Sequence, residues 1–149
     1  MTDLRIQQAD TEARLQDWRH VHNVIIPTAS SVLSLDEVRE RAGRNQLAVA
    51  YRGDVLVGCS TVRPPTDENG STATVIARIL PELREQGLGG QLYAHGLAAA
   101  RKLGARVIET VVLEANREGL RFARSHGFVE IERYVLPGDD VAFIDLRLA

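Results

Sequence analysis

Seven consecutive residues, Arg84-Glu85-Gln86-Gly87-Leu88-Gly89-Gly90, carry the strongest chemical signal in the chain. They lie between a β-branched run ending near Leu80 and a helical pattern beginning at Leu88. Free amides at a helix start carry partial positive charge and bind anions. Glycines there remove the β-carbons that would hold a phosphate away from the backbone. The same glycines would also serve a plain strand-to-helix turn, so the surrounding pattern must decide. A dinucleotide fingerprint needs a third glycine where Leu92 stands, and a P-loop needs Gly-Lys-Ser/Thr. Neither is present.

Composition narrows the alternatives. Eighteen Lys and Arg against twenty Asp and Glu leave a net charge of −2. That balance supplies no positive field for nucleic acid. Cys59 is the single cysteine, so no internal disulfide forms, and its strand setting reads as small core packing. No Cys/His set has zinc spacing, so no metal is expected. No stretch reaches the ~20 apolar residues of a membrane helix. The first twenty residues hold Asp3, Asp10, Glu12 and Asp17 without an apolar run, so no signal peptide is expected. The expectation is a cytoplasmic protein whose residues 1–149 form one globular domain, at 44% hydrophobic and 26% charged residues.

The elements that must position the glycine segment can be read in order. Leu4-Arg5-Ile6 alternates as a short strand. From Thr11, Leu15, Trp18 and Val21 or His22 recur at helical spacing, and Pro27 forces a stop. Ser34-Leu35-Asp36-Glu37 is a capping box that opens a second helix ending at Gly43. Leu47 to Tyr51 and Val55 to Arg63 form a hairpin across Arg52-Gly53-Asp54, which reads as a turn rather than an adhesion tripeptide. Pro64 to Ser71 is a loop and Thr72 to Leu80 another strand. The helix from Leu88 shows an apolar face of Leu92, Gly96, Ala99 and Leu103 before Gly104 stops it. Val107 to Leu113 is a strand, and Asn116 caps a helix from about Arg117 to His126 that Gly127 ends. Phe128 to Leu136 and Val141 to Leu148 close as two strands. The expected class is α/β: a mixed, mostly antiparallel sheet of about seven strands with about four helices, in the order β-α-α-β-β-β-α-β-α-β-β.

Ile79 to Gly90 resembles the pyrophosphate-binding motif of the GNAT superfamily of acyl-CoA-dependent N-acyltransferases, Gln/Arg-x-x-Gly-x-Gly/Ala. Asn116, followed by Phe122 and Gly127-Phe128, is similar to that family's second signature, and the element order resembles its fold along nearly the whole chain. The resemblance implies a sheet splayed open between the strand ending near Leu80 and the strand ending near Leu113. Pantetheine would pair there with the backbone of Ala77, Arg78 and Ile79. The pyrophosphate would rest on the amides of Glu85, Gln86, Gly87, Leu88, Gly89 and Gly90, within a motif that includes Arg84 and, downstream, Asn116. An amide near Ile79 would polarise the thioester carbonyl. The implied co-substrate is acetyl-CoA. The acceptor would be a small-molecule amine or a protein N-terminus, and a homodimer stays open.

Departures from the family pattern concern catalysis. Where many members carry a tyrosine that protonates the thiolate, seven residues after Asn116, this chain has Ala123. His126 shares the Ala123 face and is the candidate replacement, although a helix C-terminus also favours a histidine for its own sake. Ser125 is expected to point elsewhere. A frequent site of the base is Val111, flanked by Glu109 and Glu114; Glu109 shares its strand parity but lies deeper. The Trp18 to Ala29 region would cover the acceptor cleft, making His20, His22 and Asn23 candidate contacts, with Tyr134 similarly placed. Arg78 is unusual for a sheet centre. Ala123 also leaves open a non-catalytic acyl-CoA-binding sensor or partner domain.

Overall fold

The computed structural model describes residues 4–28 and 30–149. Ala29, the end of the segment expected over the acceptor cleft, lies outside them. The strands are β1 (Leu4–Gln8), β2 (Gln46–Arg52), β3 (Val55–Arg63), β4 (Thr72–Ile79), β5 (Val107–Leu113), β6 (Phe128–Val135) and β7 (Ala142–Leu148). The helices are α1 (Glu12–Ile25), α2 (Leu35–Ala42), α3 (Leu88–Lys102) and α4 (Arg117–Ser125), with a 3-10 turn at Pro81–Leu83. The element order matches that expected from the sequence.

Local chemistry sets the helix ends. Thr11 accepts the Arg14 amide at the start of α1. At α2, Ser34 and Glu37 bond reciprocally as the capping box requires. Asn116 Oδ1 accepts the Gly119 amide at 3.0 Å and starts α4. Gly104 and Gly127 take left-handed φ values of 95° and 91°, where a β-carbon would be strained. The apolar face of α3 differs from the sequence expectation. Its buried residues are Leu88, Leu92, Tyr93, Gly96 and Ala100, whereas Leu103 lies past the last helical residue and is 42% exposed.

The sheet runs β1-β2-β3-β4-β5-β7-β6, and among the described residues its one parallel pair is β4–β5. That pair is short: Thr72, Ala73 and Thr74 oppose Val107, Ile108 and Glu109. Beyond them β4 continues to Ile79 bonded only to β3, and β5 continues to Leu113 bonded only to β7. The two strands therefore part along their C-terminal halves. Helices α1 and α2 cover one face, where Trp18, Val21, Val38, Leu47, Val49 and Cys59 pack. On the other face α3 and α4 meet Val62, Val75, Ile144 and Leu146 around Tyr93 and Ala123. Trp18 has no exposed surface and spends its indole N–H on the Ser60 carbonyl at 3.0 Å.

Two glycines permit the close packing around β4. A β-carbon on Gly58 would land on the Arg78 carbonyl oxygen, and one on Gly96 would come within 2.8 Å of the Val75 side chain. Gly58→Ala meets backbone and should destabilise the fold by about 3 kcal/mol, the upper end of an overpacking cost. Gly96→Ala meets a side chain and regains helix propensity, so its cost should stay near or below ~1.5 kcal/mol. Urea unfolding of both variants checks the order; equal losses would contradict it.

Candidate functional site

The parting of β4 from β5 opens a cavity of about 390 Å³. Its walls are β4 from Val75 to Ile79, β5 from Thr110 to Leu113, the loop before α3, and α4. The edges of β4 and β5 that face each other here have no strand partner among the described residues, so their backbone groups are available to a ligand. Ala77, Arg78, Ile79, Arg84, Glu85, Gly87, Leu88, Gly89, Gly90 and Asn116 all line it. Gln86 is the exception among the segment's residues: its side chain is exposed and outside the wall.

The loop's backbone geometry suits an anion. Glu85 and Gly87 both take left-handed backbone, with φ of 65° and 76°, which turns successive amides toward one side. Gly87 is the N-cap of α3 and offers no side-chain acceptor to the helix's first amides. Gly90 has open space where a β-carbon would stand, and Gly89 faces the Phe122 ring at 3.4 Å. Arg84 braces the loop, since its Nε donates to the Ile79 carbonyl at 2.9 Å and ties the loop back to the strand end.

A tyrosine not singled out from the sequence also lines the cavity. Tyr93 crosses from α3 to α4, edge-on to the rings of Phe122, His126 and Phe128. It is 7% exposed, and its hydroxyl is buried with no hydrogen-bond partner among the described residues. Burial raises its pKa, so the hydroxyl remains a donor at neutral pH. An orphaned buried donor costs free energy that a ligand acceptor would restore. The only sequence signal was a polar tip at a core position of α3.

Several candidates sit elsewhere. His126 follows the last turn of α4, exposed and outside the cavity wall, with Nδ1 2.9 Å from the Phe122 carbonyl. It is Ser125 that lines the cavity, its hydroxyl donating to the same carbonyl at 2.7 Å. The helix ends between the two residues, and that break undoes the regular spacing from which their directions were read. Glu109 keeps the Val111 parity but is held by Arg147 at 2.7 Å, beside the closed part of the sheet and away from the cavity. Glu114 is bound by Arg133 at 2.8 Å. Neither carboxylate is left free at Val111 to act as base.

A second cavity of about 140 Å³ opens on the α1–α2 face. Ile26, Ile76, Arg78 and Val111 line both cavities, so the two lie against each other at the gap between β4 and β5. His22 and Tyr134 border the second one. Tyr134 gives its hydroxyl to Asp145 at 3.0 Å, and burial with that bond pushes its pKa up to about 12. Asn23 borders neither cavity; it clamps Leu33 through both amide atoms, fixing the α1–α2 loop. Because Asn23 Oδ1 already accepts the Leu33 amide, the His22 contact at 3.2 Å is an Nδ1–H donor, leaving Nε2 with its lone pair.

His22 is stacked on Trp18 at 5.2 Å and is 4% exposed. Burial first, then the charges of Arg78 and Arg41, bring its pKa down to about 4. An unfolded histidine binds its proton below pH ~6.5 while this one does so only below about 4, so acid favours unfolding. Between those values His22 should cost the fold up to about 3 kcal/mol, with stability rising as pH rises. Unfolding of the wild type and His22→Asn from pH 4 to 7 measures it; parallel pH curves would contradict the assignment.

The fold and cleft have known counterparts. The model of the acetyltransferase (GNAT) family matches residues 11–128. No curated protein sequence matches significantly. Among solved structures, a Salmonella typhimurium protein assigned as an acetyltransferase, with acetyl-CoA as its cofactor, superposes with TM-score 0.76 at 18% identity, covering 99% of this chain and 94% of that one. The ribosomal-protein-S18-alanine N-acetyltransferase of Escherichia coli gives 0.75 at 18% identity over 98% and 93%. A Bacillus subtilis acetyltransferase in complex with CoA gives 0.70 at 23% identity over 98% of both chains. On the family match over most of its length, the chain belongs to the GNAT family of acetyltransferases.

Proposed function

We propose that this protein transfers an acetyl group from acetyl-CoA to a primary amine by direct attack in a ternary complex. The observation that carries this reading is that two cavities on opposite faces of the sheet share walls at the β4–β5 gap. Donor and acceptor can then enter from opposite faces of the sheet and meet between the strands. The residues fit the donor: the uncapped amides at Leu88 to Gly90 suit its pyrophosphate, and the unpaired edges of β4 and β5 suit its pantetheine amides. Bound acetyl-CoA supplies the acyl carbon and the leaving thiolate.

The chain's own groups then divide the work. A free amide on the β4 edge polarises the thioester carbonyl as the neutral amine adds. The new C–N bond forms as the C–S bond breaks, the ammonium proton leaves to water, and the thiolate takes a proton. With His126 outside the cavity and alanine at position 123, Tyr93 is the protonated, unpartnered hydroxyl on the cavity wall. It donates to a carbonyl or sulfur of the donor. A thiol of pKa ~8.5 leaves without a dedicated acid. The runner-up is a non-catalytic acyl-CoA sensor, favoured by Ala123 alone.

CoA at 100 times its dissociation constant should stabilise the fold by about 2.7 kcal/mol, a melting shift of several degrees, while NAD and ATP should not. Gly89→Glu places volume and negative charge in the cradle and should abolish that shift while the variant stays folded. An equal response to NAD, or unchanged CoA affinity in Gly89→Glu, would overturn the cradle assignment.

Turnover separates enzyme from sensor and one hydroxyl from one imidazole. His126→Ala should retain most of its activity, far from the about 10²–10⁴-fold loss of a missing general acid. Tyr93→Phe should leave the free protein equally or more stable, since it removes an orphan, yet weaken CoA binding about tenfold. Absence of acetylated product across a broad set of amines, with CoA bound, would favour the sensor.

A further inference from the structure

Among the described residues, the second cavity is lined by three arginines and no carboxylate. Arg41 comes from α2, Arg63 from the end of β3 and Arg78 from near the end of β4. None of the three makes an ion pair or a side-chain hydrogen bond with a described residue, while six other arginines, from Arg14 to Arg147, are ion-paired. Asp145, whose charge is felt at Arg63, is engaged by Tyr134 and stays beyond ion-pair distance. The other polar groups of the wall are neutral: His22, Ser31, Thr61 and Tyr134.

Glu37 and Glu40 act on Arg41 and Asp145 on Arg63, but no carboxylate stands on the wall beside them, and such a group is costly to assemble. The guanidiniums repel one another and are partly desolvated, and both effects lower the pKa of Arg41 and of Arg78. Guanidinium remains charged in proteins, so the positive field persists at working pH. Its planar fork matches carboxylate and phosphonate oxygens in pairs. The field also repels a polycation. At about 140 Å³ the cavity suits a small molecule, and it shares Arg78 and Val111 with the wall of the donor cavity.

Resting on the acyl-transfer reading above, we infer that the acceptor is a small primary amine carrying one or two anionic groups, of amino-acid size. Arg41, Arg63 and Arg78 hold its carboxylate or phosphonate. Its nitrogen reaches the gap between β4 and β5, and the lone pair of His22 Nε2 is available to an N–H of the acceptor. Arg41 and Arg63 border only the second cavity, so they select the acceptor without touching the donor.

The test sets L-glutamate and 2-amino-4-phosphonobutyrate against glutamate diamide, tyramine, spermidine and a tripeptide with an uncharged first residue. Product is followed with acetyl-CoA, and binding of each amine by calorimetry without CoA. The anionic amines should be preferred in kcat/KM and should bind alone. Arg63→Gln and Arg41→Gln should each raise their KM about 10- to 100-fold, with CoA affinity unchanged, as expected for loss of a charged hydrogen bond. Preference for tyramine, spermidine or the tripeptide while CoA binds would overturn this inference and leave acyl transfer standing. Calorimetric binding of glutamate without any CoA response would support the anion site and remove acyl transfer. Failure of both variants to alter KM or binding of glutamate would overturn it.

Discussion

Three residue pairs form the lateral join between the two parts of the sheet. Thr72 to Thr74 against Val107 to Glu109 is all the ladder that links β1–β4 to β5–β7. Everything functional follows from its ending there. Had the pairing run on to Ile79 and Leu113, the sheet would be continuous and neither face could communicate with the other. Because it stops, the helices must bridge the parts: Tyr93 of α3 packs against Phe122 of α4 and Phe128 of β6. The apolar contacts that hold the halves at their separation thus line the opening they create.

The two faces of the opening have opposite chemistry for a physical reason. On the α3–α4 side the loop before α3 presents main-chain amides, held in place by Glu85 and Gly87 in left-handed backbone and by the Arg84 tie to Ile79. Fixed backbone dipoles suit an anion whose shape does not vary. On the α1–α2 side the polar groups are side chains from α2, β3 and β4. Side chains can change in evolution without disturbing the sheet, so on the proposed reading this is the face on which one fold would serve different acceptors.

The fold was largely legible from the residues. Capping at Ser34 and Asn116, the stops at Gly104 and Gly127, and alternation in the strands are local signals, and each acts within a few positions. The glycine loop was legible for the same reason. The arginine group was not: Arg41, Arg63 and Arg78 are separated by whole elements, and only strand register brings the last two to one face. Tyr93 was hidden because an aromatic in a helix stripe reads as core, and its meaning lies in a hydroxyl that finds no partner. His126 was misplaced because helical spacing was extended past the residue where the helix stops, a single position that changes a side chain's direction.

Unpaired strand edges usually expose a protein to self-association, since any extended chain can add to them. Here two such edges face each other inside the molecule, flanked by helices on both sides. A foreign polypeptide strand carries side chains above and below its plane, and Ile76 and Arg78 on one face with Ala77 and Ile79 on the other leave them little room. A thin, unbranched chain bearing amides meets no such obstacle. On the proposed reading the gap would work as a sieve on cross-section, keeping sticky backbone out of reach of other proteins and offering it to a linear cofactor arm.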